Sequence, residues 1–152
     1  MKIVLIGAYG KIGELVQKAL AGAGHEIVKV GRKSGNFQVE IENRESVRKL
    51  YQALGSFDAV AIAAGEVAFA PLSELTAEKW EFSLGSKLMG QINLVQEAIP
   101  FINEKGSFTL VSGVLMKNQS WLVSRVQPSR AHWKVLFGLP QSNFPRDCVS
   151  IW

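Results

Sequence analysis

An α/β fold, with a parallel sheet covered by helices on both faces, is predicted for this 152-residue chain. Two observations predict it. Short apolar runs alternate with stretches whose apolar residues recur at helical spacing, and the alternation holds over the first three quarters of the sequence. The first apolar run, MKIVLI, leads straight into GAYGKIG, which sets three glycines between an expected strand and an expected helix. Strands joined by helical crossovers run parallel, because such connections are right-handed.

KIVLI (2–6) is short and fully apolar, as a strand buried on both faces should be. Ile12, Leu15, Val16, Ala19 and Leu20 then mark one face of a first helix. HEIVKVG (25–31) is a second strand, and after the turn-like RKSGN comes QVEI (38–41), short and alternating. A helix from about Arg44 to Leu54 gathers Val47, Leu50, Tyr51 and Leu54 on one side, with Asn43 placed to cap it. DAVAIAAG (58–65) is another buried strand. Thr76 can cap a long helix that opens at AEKWEF, carries Leu84, Leu88, Ile92 and Val95 inward, and stops at Pro100. SFTLVSGV (107–114) is the last strand of the pattern.

The glycines suggest a dinucleotide. Gly7 suits a tight turn out of the strand, Gly10 leaves backbone open to a pyrophosphate, and Gly13 lets the helix pack close to the sheet. The N–H groups at the helix start would receive the anion. A strand-to-helix turn without a ligand is the alternative reading of the same residues. Arg32 and Lys33, nineteen and twenty positions beyond Gly13, stand where an acidic residue would bind the ribose of NAD. Two cations there favour the 2′-phosphate of NADP, with NADPH preferred over NADH; a solvated basic loop is the plainer alternative.

Composition narrows the classes further. Cys148 is the sole cysteine and His25 and His132 the sole histidines, which leaves no intramolecular disulfide and no metal-ligand cluster and fits a reducing, cytoplasmic setting. The opening apolar run is too short for a signal segment or a membrane span, so a soluble protein with no membrane partner is expected. The net charge is +4, but residues 1–118 carry 13 Lys+Arg against 12 Asp+Glu, whereas residues 119–152 carry 4 against 1. No basic stripe interleaved with aromatics accompanies it, so no nucleic-acid partner is expected.

GAYGKIG, GRKSG, DAVAIAAG and the stretch PLSELTAEKWEFSLGSKLMGQINLVQEAIPFINEKGSFTLVSG together resemble the short-chain dehydrogenase/reductase family over roughly residues 1–116. The resemblance implies a Rossmann-like doubly wound sheet, here about five strands in the order 3-2-1-4-5, incomplete relative to the family. It implies an oxidoreductase that moves a hydride between NADP(H) and a carbonyl or alcohol. The expected cofactor residues are Gly7, Ala8, Tyr9, Gly10, Lys11, Ile12, Gly13, Arg32, Lys33, Ala64 and Gly65. The family's catalytic set is missing: its asparagine falls on Lys87, its serine on Gly113 beside Ser112, and neither Tyr9 nor Tyr51 has a lysine four residues later. Ser112 and Lys87 are the remaining weak candidates for catalysis. A non-catalytic dinucleotide-binding module or redox sensor is therefore one alternative, and a non-functional truncated product another.

The second alternative comes from residues 117–152, which hold three of four tryptophans, three of five prolines and one acid, Asp147. Read from the third base of each codon, residues 132–151 admit LEGFVRSAAIELPTGLRVN, which resembles the family's next helix and strand. The tail is accordingly expected to be frameshift-derived or truncated, distinct from a dinucleotide-binding domain at 1–116. In that shifted reading the codon spanning Arg125 and Val126 cannot encode tyrosine. A homo-oligomer is possible, its native interface lost with the missing part, and the last strand is expected to show a bare, aggregation-prone edge.

Overall fold

The computed structural model describes residues 1–111 and the backbone of 149–151. Its sheet is parallel throughout. β1 (Lys2–Ile6) lies at the centre, flanked by β2 (Glu26–Gly31) and β4 (Phe57–Ile62), with β3 (Phe37–Gln38) beyond β2 and β5 (Ile102–Leu110) beyond β4. The expected order 3-2-1-4-5 is present and is extended by β6 (Val149–Ile151). β6 pairs Val149, Ser150 and Ile151 with Phe108, Thr109 and Leu110. The edge expected to be bare is thus paired over those three residues, by a segment whose Val149 and Ile151 are β-branched and favour a strand. The rest of the atypical tail lies outside the described residues.

The core lies between this sheet and two helices on one face. α2 (Arg44–Leu54) starts and ends where the sequence puts it, because its signals are local. Asn43 Oδ1 accepts from the Glu45 and Ser46 amides at 3.0 and 3.2 Å, which satisfies two of the helix's orphan donors. Val47, Leu50, Tyr51 and Leu54 are buried against Val4, Ile6, Val60 and Phe57. The long helix is not uniform: α3 (Ala77–Ser83), capped by Thr76 as expected, passes through a π-helical segment, Leu84–Met89, into α4 (Gly90–Ala98). Leu84 is exposed, contrary to the regular period, since the wider π turn changes the angle between successive side chains.

α4 is bound to α2 and to the segment after β3 by polar contacts. Glu97 receives Arg44 Nε, and Arg48 Nε at 2.9 Å. Arg48 and then Arg44 hold its carboxyl below the usual carboxylate range. Asn93 Nδ2 donates to the Ile41 carbonyl at 3.0 Å, and Gly90 brings the helix so close to Ile41 that a Cβ would lie 2.7 Å from its side chain.

α1 (Lys11–Gly22) lies on the opposite face, and there the expected packing fails. Ile12 and Leu15 are 44% and 68% exposed, and Ala19 is exposed as well. Among the described residues α1 packs chiefly on β1 and β2. Periodicity places apolar residues on one side of a helix but cannot supply the neighbour that covers them.

The Tyr51 ring sits 5.3 Å from that of Phe57 and 6.3 Å from that of Phe101. Its hydroxyl is buried with no hydrogen-bond partner among the described residues. Tyr51→Phe should therefore keep or raise stability, by up to about 1 kcal/mol, because it removes a buried polar group and retains the ring. Chemical denaturation checks this, and a loss of more than about 1 kcal/mol would reveal a partner for the hydroxyl.

Candidate dinucleotide cleft

The chain leaves β1 through a turn that only particular residues can make. Gly7 has φ +81°, and its amide and that of Ala8 both donate to the Val30 carbonyl, at 2.9 and 3.2 Å. A Cβ on Gly7 would lie 2.6 Å from the Ala63 carbonyl oxygen, and one on Gly13 would overlap the Gly7 carbonyl oxygen. These two glycines are required by the protein's own backbone. Gly10 differs, since a Cβ there would meet just the Gly7 oxygen, at an ordinary 3.5 Å. No side chain caps α1, so the amides of its first turn are left for an outside acceptor.

In front of this turn is a cleft of about 270 Å³ at the carboxyl ends of β1, β2 and β4. Of the residues expected from sequence, Gly7, Tyr9, Gly10, Arg32, Ala64 and Gly65 line it. Ala8 and Gly13 are buried behind the wall, while Lys11, Ile12 and Lys33 are exposed away from it. The wall also contains Glu42, Glu66 and Ser86, which the sequence did not single out. Their spacing from Arg32 carries no local signal.

Arg32 joins two of them. Its guanidinium meets Glu42 at 3.1 Å and Glu66 at 3.5 Å, while remaining 51% exposed. The ends of β2 and β4 are thereby linked across the cleft mouth to the segment after β3. Beyond this bridge lies a second, more open cavity of about 570 Å³, which shares Arg32, Glu42 and Ser86 and adds Glu40 and Glu81. The cation expected to meet a phosphate is therefore set among carboxylates.

The far wall is held by the helix. Ser86 Oγ accepts from the Glu66 amide at 3.1 Å and Ser83 Oγ from the Ala68 amide at 2.9 Å, so the loop after β4 hangs on α3 and the π segment. Lys87 is buried, not a solvated helix lysine. Its Nζ donates to the Val111 carbonyl at 2.8 Å and reaches that of Ala64 at 3.4 Å. Gln91 Nε2 donates to the same two carbonyls, at 3.2 and 3.0 Å, while its Oε1 is buried without a partner among the described residues. Lys87 and Gln91 thus clamp the carboxyl ends of β4 and β5 together. Burial pushes the Lys87 ammonium below its usual pKa. Ser112, the other weak catalytic candidate, lies outside the described residues. Among the described residues no group of three His, Cys, Asp or Glu could hold a metal ion, and no helix is long and apolar enough to cross a membrane.

The profile of the NAD dependent epimerase/dehydratase family matches residues 3–105. The chain is similar to the protein lin1944 of Listeria innocua, with 46% identity, a TM-score of 0.74, and coverage of 77% of this chain and 58% of that one. It resembles an uncharacterized oxidoreductase of Staphylococcus aureus at 24% identity, over 72% of this chain and 55% of the relative. A small-chain dehydrogenase solved in complex with NADPH shares the fold, at 21% identity and a TM-score of 0.67, over 74% of this chain and 51% of that one. The chain spans little more than half the length of these relatives.

Because the folded-state pKa of Lys87 lies below its ordinary 10.5, the unfolded chain binds the proton more tightly. The wild type should therefore gain stability relative to Lys87→Met as pH rises through the lowered value towards 10.5. Paired denaturation curves across alkaline pH check this; a constant difference would contradict the burial of the ammonium.

Proposed function

The chain belongs to the NAD-dependent epimerase/dehydratase family, and we propose that it binds NADP(H) in the cleft at the carboxyl ends of β1, β2 and β4. The observation that carries this is the contrast among the three glycines. Gly7 and Gly13 have no room for a side chain, whereas Gly10 has room and lacks one beside the uncapped start of α1. A backbone kept bare without internal need suits an anion that must come close to it. The cleft, at the small end for a ligand site, suits the adenosine half of the cofactor.

Arg32 supports the 2′-phosphate. Its guanidinium stands at the end of β2 with donors to offer, and Lys33 adds a second exposed charge next to it. Glu42 and Glu66 hold the guanidinium at the cleft mouth in the free protein, and a phosphate would take over part of that pairing. Bound there, the nicotinamide dinucleotide supplies a hydride. The chain's own residues offer the other half of that chemistry poorly. The sequence has no Tyr-x-x-x-Lys pair, and Lys87, a proton donor beside the cleft wall, spends its bonds on the carbonyls of Val111 and Ala64. Dinucleotide binding without turnover, as in a redox-sensing module of an oxidoreductase family, is the reading these residues support best. Reduction of a carbonyl with Lys87 as proton donor is the second, favoured by its lowered pKa.

Two variants test the site by calorimetric titration. Gly10→Ala should stay within about 1 kcal/mol of wild-type stability yet bind NADPH about tenfold more weakly. Equal binding would remove the pyrophosphate from that turn. The wild type should bind NADPH more tightly than NADH, and Arg32→Ala should erase the difference; tighter binding of NADH by the wild type would sink the NADP assignment. NADPH oxidation across a set of carbonyl compounds should be absent, and turnover that Lys87→Met abolishes would establish the second reading.

A further inference from the structure

The Tyr9 ring, part of the cleft lining, lies on the loop after β2. A Cβ on Gly31 would sit 2.8 Å from Tyr9 Cδ2, and a Cβ on Gly35 would overlap the Tyr9 hydroxyl, with Cε2 at 2.8 Å and Cζ at 2.9 Å. At Gly35 the ring fills the space a side chain would need, while at Gly31 it shares that space with the Ser34 carbonyl oxygen, 2.6 Å from the Cβ position. Lys29 Nζ lies 5.9 Å from the ring centroid, on the strand that leads into this loop. Apart from the pairing of Arg32 with Glu42 and Glu66, the loop has little else to fix it. Outside the β2–β3 ladder, residues 32–36 make no backbone hydrogen bond among the described residues. Gly35 has φ +90°, a conformation other residues seldom adopt.

We propose that Tyr9 is a positioning residue for cofactor discrimination: its ring holds the Gly31–Gly35 loop so that Arg32 and Lys33 present their charges to a 2′-phosphate. The assignment rests on the NADP(H) reading above. It gives Tyr9 a role different from that expected of a residue in the glycine-rich turn, because the ring acts on the loop and through it on the phosphate. It also gives Gly35, outside the glycine-rich turn, a packing reason beside its positive φ. A flat, rigid side chain can brace bare backbone over several residues at small entropic cost.

The test compares wild type, Tyr9→Phe, Tyr9→Ala, Arg32→Ala and the Tyr9→Ala/Arg32→Ala double variant by titration with NADPH and NADH. Tyr9→Ala should lose about tenfold in NADPH affinity, the scale of one charge-assisted contact, while NADH affinity shifts about twofold or less. Tyr9→Phe, which keeps the ring, should retain the preference. In the double variant the Tyr9 effect should vanish, because the residue it acts through is gone. Hydrogen exchange of the free protein should show faster exchange at residues 31–36 in Tyr9→Ala, with α2 and β4 unchanged. A wild type without NADPH preference overturns the NADP(H) reading and this role with it. A wild-type preference that survives Tyr9→Ala, or an equal loss for both dinucleotides, overturns the role alone.

Discussion

The contact on which the rest depends is the approach of the α1 start to the carbonyl of Gly7, at a distance that excludes any side chain from Gly13. It fixes where the helix axis points, and so where the unpaired amides of its first turn face. Gly7 and Ala8 in turn hang on the Val30 carbonyl of the neighbouring strand, and the Gly7 backbone lies against Ala63 at the end of β4. Three strand ends and one helix start are therefore held by backbone contacts, with no side chain to adjust among them. Such a corner is stiff, and it sets the geometry of the cleft before any charged group takes part.

The opposite wall is built differently. There, past the Ile62–Leu110 end of the ladder, two long polar side chains from the helix, Lys87 and Gln91, reach the carbonyls of Ala64 and Val111. A buried ammonium is costly unless its hydrogens are used, and here main-chain oxygens use them. Gly65, with φ +105°, lets the chain pass within 2.9 Å of Lys87 Cδ at the position a Cβ would occupy. Lys87 thus serves as a brace behind the wall, its ammonium spent on main-chain carbonyls.

What the sequence makes legible is what local chemistry decides. α2 can be read to the residue because Asn43, the glycine at 55 and the apolar face at 47, 50, 51 and 54 all speak for the same element. The glycine-rich turn is legible for the same reason. Arg32 was legible as a cation at the right distance along the chain, but not its pairing with Glu42 and Glu66, ten and thirty-four residues away. The burial of α1 failed because a helix face is a potential for contact, and the contact partner is decided elsewhere in the fold. The sixth strand was missed because a three-residue segment carries too little pattern to separate it from its surroundings.

The π segment at Leu84–Met89 has a further consequence. A π turn is an α-helix that accommodates one residue too many, so this helix tolerates a change of length in a way a regular helix would not. Removing a single residue there, such as Gly85, would restore regular winding without breaking the chain between α3 and α4. Because each residue of the π turn advances by a smaller angle, Ser83 before it and Gln91 after it would keep their facing. Ser86 and Lys87, inside the segment, would be displaced from the carbonyls and amides of the β4 and β5 ends that they meet now. The irregularity is a local widening that leaves the two helices in step, and one wall of the cleft owes its two inner contacts to it.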